Sequence, residues 1–323
     1  MNICFLTLAP RGSRSGNRVT ALRWARLVRQ LGHRARIAET LDARPSDVLV
    51  ALHAVKTSAA IEQAAARWPG SARVIALTGT DLYESQGSQE RASARRSLEL
   101  ADRIILLQRK ALEALPAELR PKARVIEQSA LPPPVAASPG PGFPVCVIGH
   151  LRDVKDPFLA AQAARRLPAR SQVRITQIGA ALSDPMRARA EREMAENPRY
   201  RWLGEQRRSA LHRLLAQSRI LALTSRSEGG ANVVSEAIAA GVPVVSTRIP
   251  GTIGLLGDDY PGYFPVGDAQ ALATLLLRAE EDPAFYRTLQ SACDRVRPLL
   301  DPARERDAWA RLLAELAGKG RGA

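Results

Sequence analysis

The chain alternates short apolar runs with amphipathic segments, breaks once on a proline-rich stretch, and then alternates again. NICFLTLA, RARIAET, DVLVALH, RVIALTG, RIILLQ and ARVIEQ read as strands in the first half. Between them, NRVTALRWARLVRQLG and AAIEQAAARW repeat apolar residues at helical spacing, with Val19, Leu22, Leu27 and Leu31 along the first. Strand–helix alternation implies a parallel sheet covered on both faces. LPPPVAASPGPGFP (131–144) has the composition of a linker. Beyond it, VCVIGHL, VRITQIG, YRWLG, RILALTS, VPVVS and GYFPV read as strands. DPFLAAQAARRL, DPMRARAEREMAE, SALHRLLAQS, NVVSEAIAAG and AQALATLLLRAEED read as helices. The pattern predicts an α/β fold of two doubly wound, Rossmann-like domains, 1–138 and 139–300, facing a cleft. Ligands of such sheets bind beyond the carboxyl ends of the strands. A last amphipathic helix, about 303–317, carries Trp309, Leu312, Leu313 and Leu316. It predicts that 301–323 packs back toward the first domain.

Composition narrows the function. With 323 residues, 46% of them hydrophobic, the chain can fill two cores. No apolar run approaches the roughly 18–20 residues that span a bilayer. MNICFLTLAPRG reads as a first strand and not as a signal peptide. Cys4, Cys146 and Cys293 are far apart, without metal spacing, and read as small buried residues of a reducing compartment. These features predict a soluble cytoplasmic protein with no stable membrane insertion. The net charge of +15 comes from 42 arginines and only 5 lysines, spread over the whole chain. Sparse aromatics, and the absence of helix-turn-helix or zinc signatures, argue against a nucleic-acid partner. A small anionic substrate suits the excess charge better.

The stretch SRSEGGANVVSEAIAAGVPVVS carries the strongest site signal. Glu228 precedes a Gly-Gly pair, Asn232 opens a helix read over 233–240, and Gly241 ends it in the left-handed manner. A glycine-rich turn feeding a helix N-terminus holds anions. The carboxylates of Glu228 and Glu236 would repel phosphate, so they suit hydroxyls. Anion plus polyol describes a nucleotide-sugar; the same spacing also describes a capped helix with two solvated glutamates.

Other loops repeat the theme. RGSRSGNR (11–18) is a glycine turn between a strand and a helix, equally a plain connection. His150, Arg152 and Lys155 follow a buried strand, where cations neutralise a diphosphate or form a solvated basic loop. Thr78, Thr80 and Asp81 could bind sugar hydroxyls or an acceptor, and Asp81 serves equally as a helix cap. His53 ends another strand and is a candidate of the same kind, whereas His33 reads as structural. No Asp-x-Asp, metal-ligand cluster, G-x-S-x-G elbow, Walker motif or G-x-G-x-x-G appears. Neither metal nor cofactor is expected.

GHLRDVKDP, SRSEGGANVVSEAIAAGVPVV and the two-domain plan resemble the GT-B glycosyltransferases of family 4, the group 1 transferases, over nearly the whole chain. That resemblance implies a nucleotide-sugar donor. It implies that Glu228 touches donor-sugar hydroxyls, that Glu236 holds the ribose, and that Lys155 and the backbone of Gly229, Gly230, Ala231 and Asn232 contact sugar and diphosphate. Val233 follows in the same helix turn. The loop with Gly12, Gly16 and Asn17 would close over the diphosphate, and Arg14 joins Thr78, Thr80 and Asp81 as an acceptor or sugar candidate. Lys155, Arg152 and Glu228 are the expected catalytic groups, with Arg152 assigned from its place in the basic loop and not from the resemblance. His150 stands where the family's V-G-R-L-x-x-x-K has arginine, which leaves open whether His150 or Arg152 meets the diphosphate. Thr78 stands where the family's H-G-x-D has histidine. Longer words, among them GSRSGNRVTALRWARLVRQLGH, ALTGTDLY and IPGTIGLLGDDYPGYFPVGD, are similar to the selenosugar synthases. That likeness implies UDP-N-acetylglucosamine or UDP-glucose as donor and selenophosphate as acceptor. An ordinary family-4 transfer to a hydroxyl is the alternative.

Overall fold

The computed structural model describes residues 1–83, 87–133 and 140–319, with 318 and 319 as backbone alone. The middle of the proline-rich stretch, 134–139, and the expected boundary at 138/139 lie outside the described residues.

Among the described residues, twelve strands form two six-stranded parallel sheets. The first holds β1 (Asn2–Leu6), β2 (Arg34–Ala38), β3 (Val48–Leu52), β4 (Ala72–Ala76), β5 (Arg103–Leu106) and β6 (Ala123–Val125), in the order β2-β1-β3-β4-β5-β6. The second holds β7 (Phe143–Ile148), β8 (Val173–Ile178), β9 (Tyr200–Trp202), β10 (Ile220–Leu223), β11 (Val244–Thr247) and β12 (Tyr263–Phe264), in the order β12-β11-β10-β7-β8-β9. Each order reverses direction once, between β1 and β3 and between β7 and β10. Those are the switch points at which doubly wound sheets take ligands.

The chain divides into two compact units. One comprises Met1–Ser129, Glu228–Ala231 and the chain from Asp301 onward; the other comprises Ala130–Ser227 and Asn232–Leu300. In the first unit, Ile3 and Phe5 enter one core layer while Cys4 and Leu6 enter the other, as alternation on a doubly covered strand requires. The helix Pro302–Lys319 belongs to the first layer. Its Trp309 meets Trp24 with ring centroids 5.1 Å apart and Phe5 at 5.5 Å, both edge-on.

The first helix, Gly16–Gln30, buries Arg18, Thr20, Ala21, Trp24, Ala25, Leu27 and Val28. Its apolar stripe therefore departs from the expected one: Leu22 is 52% exposed, and the polar residues Arg18 and Thr20 lie inward in its first two turns. Helices at Ser88–Leu100, Pro250–Leu256 and Pro283–Val296 also exist that the strand–helix reading did not contain. Among the described residues no helix is long and apolar enough to cross a membrane.

Candidate functional site

In the second unit, the loop after β7 is shaped by close backbone packing. Gly149 N donates to Ile178 O at 2.8 Å, and Leu151 N donates to Ala180 O at 2.8 Å. Gly179 has φ +149°, and a Cβ on it would lie 2.0 Å from Gly149 O. Only glycine fits there. His150 Nδ1 accepts from Ala180 N at 3.1 Å, so that nitrogen already holds the backbone. Burial pushes the His150 imidazole below its ordinary pKa; Glu205 opposes that shift, and Arg152 and Lys155 add to it. Arg152 is exposed.

A single 3₁₀ turn, Asp153–Lys155, then brings the chain to Asp156, whose φ is +41°. This turn is tied to the loop after β10 from several directions. Thr224 Oγ1 donates to Lys155 O at 2.9 Å, Arg226 N donates to Val154 O at 2.8 Å, and Arg226 Nη2 donates to Asp156 Oδ2 at 3.0 Å. Thr247, at the end of β11, donates its hydroxyl to Ser225 O at 2.6 Å. Gly149, Lys155, Gln177, Thr224 and Ser225 consequently line one small hollow at the β7–β10 switch point. Gln177 donates Nε2 to Gly149 O at 3.1 Å, while its Oε1 is buried without a hydrogen-bond partner.

The helix Asn232–Ala239 places Asn232 and Val233 in its first turn and stops at Gly241, φ +75°. Glu236 is half-buried on it. Arg208 Nη2 donates to Glu236 Oε1 at 3.2 Å, and His212 Nε2 lies 3.9 Å from the same oxygen. Leu131, Pro133, Leu215 and Ala240 surround this pair in a second hollow, apart from the one lined by Lys155. Arg208 and His212 escaped the sequence reading, although a spacing of four on the helix Arg208–Ala216 puts both on one face.

In the first unit, Gly12 has φ +86° in the loop after β1. Ser13 N closes a turn on Pro10 O at 3.0 Å, and Ser15 caps the helix that Gly16 and Asn17 begin, its hydroxyl accepting from Arg18 N at 3.4 Å. Arg14 is exposed. Asp81 is buried, and its carboxylate is taken up by backbone: Oδ1 accepts from Thr78 N and Gly79 N, both at 2.9 Å, and Oδ2 from Ala54 N at 2.8 Å. Thr80 Oγ1 lies 2.9 Å from His53 Nε2.

Glu228–Ala231 groups with this unit. Glu228 is 8% exposed. A Cβ on Gly229 would lie 2.4 Å from the Thr78 carbonyl carbon, and one on Gly230 would lie 2.7 Å from Leu107 Cβ. The glycine pair is thus required by what packs against it, a reason the sequence alone does not show. Among the described residues, no group of three His, Cys, Asp or Glu side chains could hold a metal ion.

Residues 134–294 match the family model described as glycosyl transferases group 1. No curated protein matches the chain. Among solved structures it is similar to HepE of Anabaena in complex with UDP, with TM-score 0.76 and 18% identity over 98% of this chain and 100% of that one. It is also similar to a sucrose-phosphate synthase from Thermosynechococcus elongatus, with TM-score 0.81 and 17% identity over 99% and 100% of the two chains. A glycosyltransferase from Rickettsia africae gives TM-score 0.76 and 13% identity, with 98% of each chain covered. These likenesses place the fold among GT-B proteins.

Proposed function

We propose that the chain is a group 1 glycosyl transferase, the family whose model matches residues 134–294, and that it moves a sugar from a UDP-sugar, UDP-N-acetylglucosamine or UDP-glucose, onto selenophosphate. HepE, similar in fold, was solved with UDP and with UDP-glucose, which supports a uridine donor. In this reading Lys155 and Arg152 face the diphosphate, with His150 Nδ1 already committed to Ala180 N. The first-turn amides of Asn232 and Val233 support the same charge, Glu236 holds the ribose, and Glu228 takes donor-sugar hydroxyls.

One observation carries the acceptor assignment. The two groups of the Thr78–Asp81 region that could serve as a general base are both engaged: Asp81 by three amides, and His53 by Lys56 N at 3.3 Å and Thr80 Oγ1 at 2.9 Å. An alcohol acceptor needs its proton removed. Selenophosphate arrives as an anion with an exposed, polarisable selenium and needs none. Selenium attacks the anomeric carbon as the bond from that carbon to the UDP oxygen breaks, and the electron pair leaves on the diphosphate. Water later cleaves the Se–P bond, giving the selenosugar and phosphate. The sequence words similar to selenosugar synthases agree with this acceptor.

The test is incubation with each UDP-sugar and a panel of acceptors, followed by mass spectrometry. A product in which hexose is joined to selenium is expected. Turnover of a hydroxyl acceptor with none of selenophosphate would replace this reading by ordinary family-4 transfer.

A further inference from the structure

Arg208 takes the first position of the helix Arg208–Ala216, at the positive end of its dipole, where a cation is disfavoured. No acidic residue stands in that first turn to offset it. The charge is answered from another helix, Asn232–Ala239: Arg208 Nη2 donates to Glu236 Oε1 at 3.2 Å. A local preference is given up for a contact between two helices, and such exceptions gather at functional sites.

The contact is one-sided. His212, one turn further along the same face, brings Nε2 to 3.9 Å from the same Oε1. Among the described residues no hydrogen bond reaches Oε2. The side chains of Glu236 and His212 are only 18% and 20% exposed, and Leu131, Pro133, Leu215 and Ala240 form the apolar part of their hollow. The carboxylate is thus largely withdrawn from water, with one oxygen held and the other left to accept.

A glutamate free to turn must freeze its side-chain torsions when it accepts a ligand. One already held loses less on binding. The pair does little for the fold itself, since the Arg208 side chain is 63% exposed and such ion pairs add little to stability. Its effect falls on what Glu236 binds.

We propose that Arg208 is a positioning residue for the ribose of the nucleotide, acting through Glu236: it fixes Oε1 so that Oε2 meets the vicinal hydroxyls, with His212 bounding the carboxylate on the same side. This rests on the donor reading above, in which Glu236 holds the ribose, and adds the residue that sets how firmly it does so.

Calorimetric titration with UDP and with 2′,3′-dideoxy-UDP tests the proposal, on variants checked for folding by circular dichroism. Arg208→Met removes the donors and keeps the apolar stem. It is expected to weaken UDP about fivefold, and to leave unchanged the affinity for the dideoxy nucleotide, which has no hydroxyls to offer Oε2. Arg208→Lys keeps a charged donor and is expected to recover most of the loss. Arg208→Met combined with Glu236→Gln is expected to bind UDP no more weakly than Glu236→Gln alone, because the two act as one unit. An equal loss for both nucleotides would mean that Arg208 attracts the diphosphate by charge. That result, additive losses in the double variant, or wild-type UDP affinity in folded Arg208→Met would overturn the proposal alone. A wild-type protein that binds no UDP would overturn it together with the donor reading.

Discussion

Gly179 lies against Gly149 so closely that a Cβ on Gly179 would sit 2.0 Å from the Gly149 carbonyl oxygen. The contact joins the loops after β7 and β8, and the loop it shapes carries His150, Arg152 and Lys155. Gly179→Ala adds one methyl group where backbone must move, at a φ of +149° that alanine resists. It should cost about 2–4 kcal/mol in urea unfolding and weaken UDP binding by displacing the Lys155 turn. A variant with wild-type stability would show that the two loops are not held together there.

Glu305 should anchor the last helix of the first unit. Its carboxylate is 2% exposed and accepts from Trp24 Nε1 at 2.7 Å, Arg23 Nε at 3.1 Å and Ser129 N at 3.0 Å. Glu305→Ala removes the carboxylate shared by the Arg23 guanidinium, the Trp24 indole, and the amide and hydroxyl of Ser129. A loss of about 3–5 kcal/mol is expected by denaturant unfolding. A loss under about 1 kcal/mol would mean that water replaces the carboxylate freely.

Glu315 should stabilise the fold at neutral pH and lose that contribution in acid. Hydrogen bonds from Arg124, and then from Arg103, hold its carboxyl down to about 2. A depressed carboxyl stabilises the fold above its unfolded pKa, near 4.3, and loses that contribution as pH falls toward about 2. The side chain is 33% exposed, so screening reduces its worth to about 1 kcal/mol. Glu315→Gln should lower the melting temperature by a few degrees at pH 7 and scarcely at all at pH 2.5. An equal shift at both pH values would remove the charge from the explanation.

Much of the fold was legible because strands covered on both faces leave continuous apolar runs. Val48–Leu52, VLVAL, is buried at every position. The helix Ser88–Leu100 was not legible, since only Ala94, Ser97 and Leu98 point inward and too few apolar residues remain to show a period. Pro250–Leu256 contains two glycines and starts on proline, so propensity speaks against it; Thr252 holds it by donating its hydroxyl to Thr247 O at 2.9 Å. In the candidate site, the run from Glu228 to Glu236 and the basic loop to Lys155 stood out by residue type. What the sequence does not state is which side chains meet. Arg208 and His212 share a helix face, yet nothing in their spacing says that Glu236 is what they face. Asp81 fitted both a ligand and a structural role by type, and only the three amides around it show what its carboxylate does in the fold.

The donor reading is tested most directly by calorimetric titration of UDP into the wild-type protein and into Glu236→Ala, each checked for folding by circular dichroism. The wild type should bind UDP, and loss of the carboxylate that meets Arg208 and His212 should weaken binding by about tenfold or more. No heat of binding in the wild type, or an unchanged affinity in the folded variant, would contradict the assignment of this chain to UDP-sugar chemistry through Glu236.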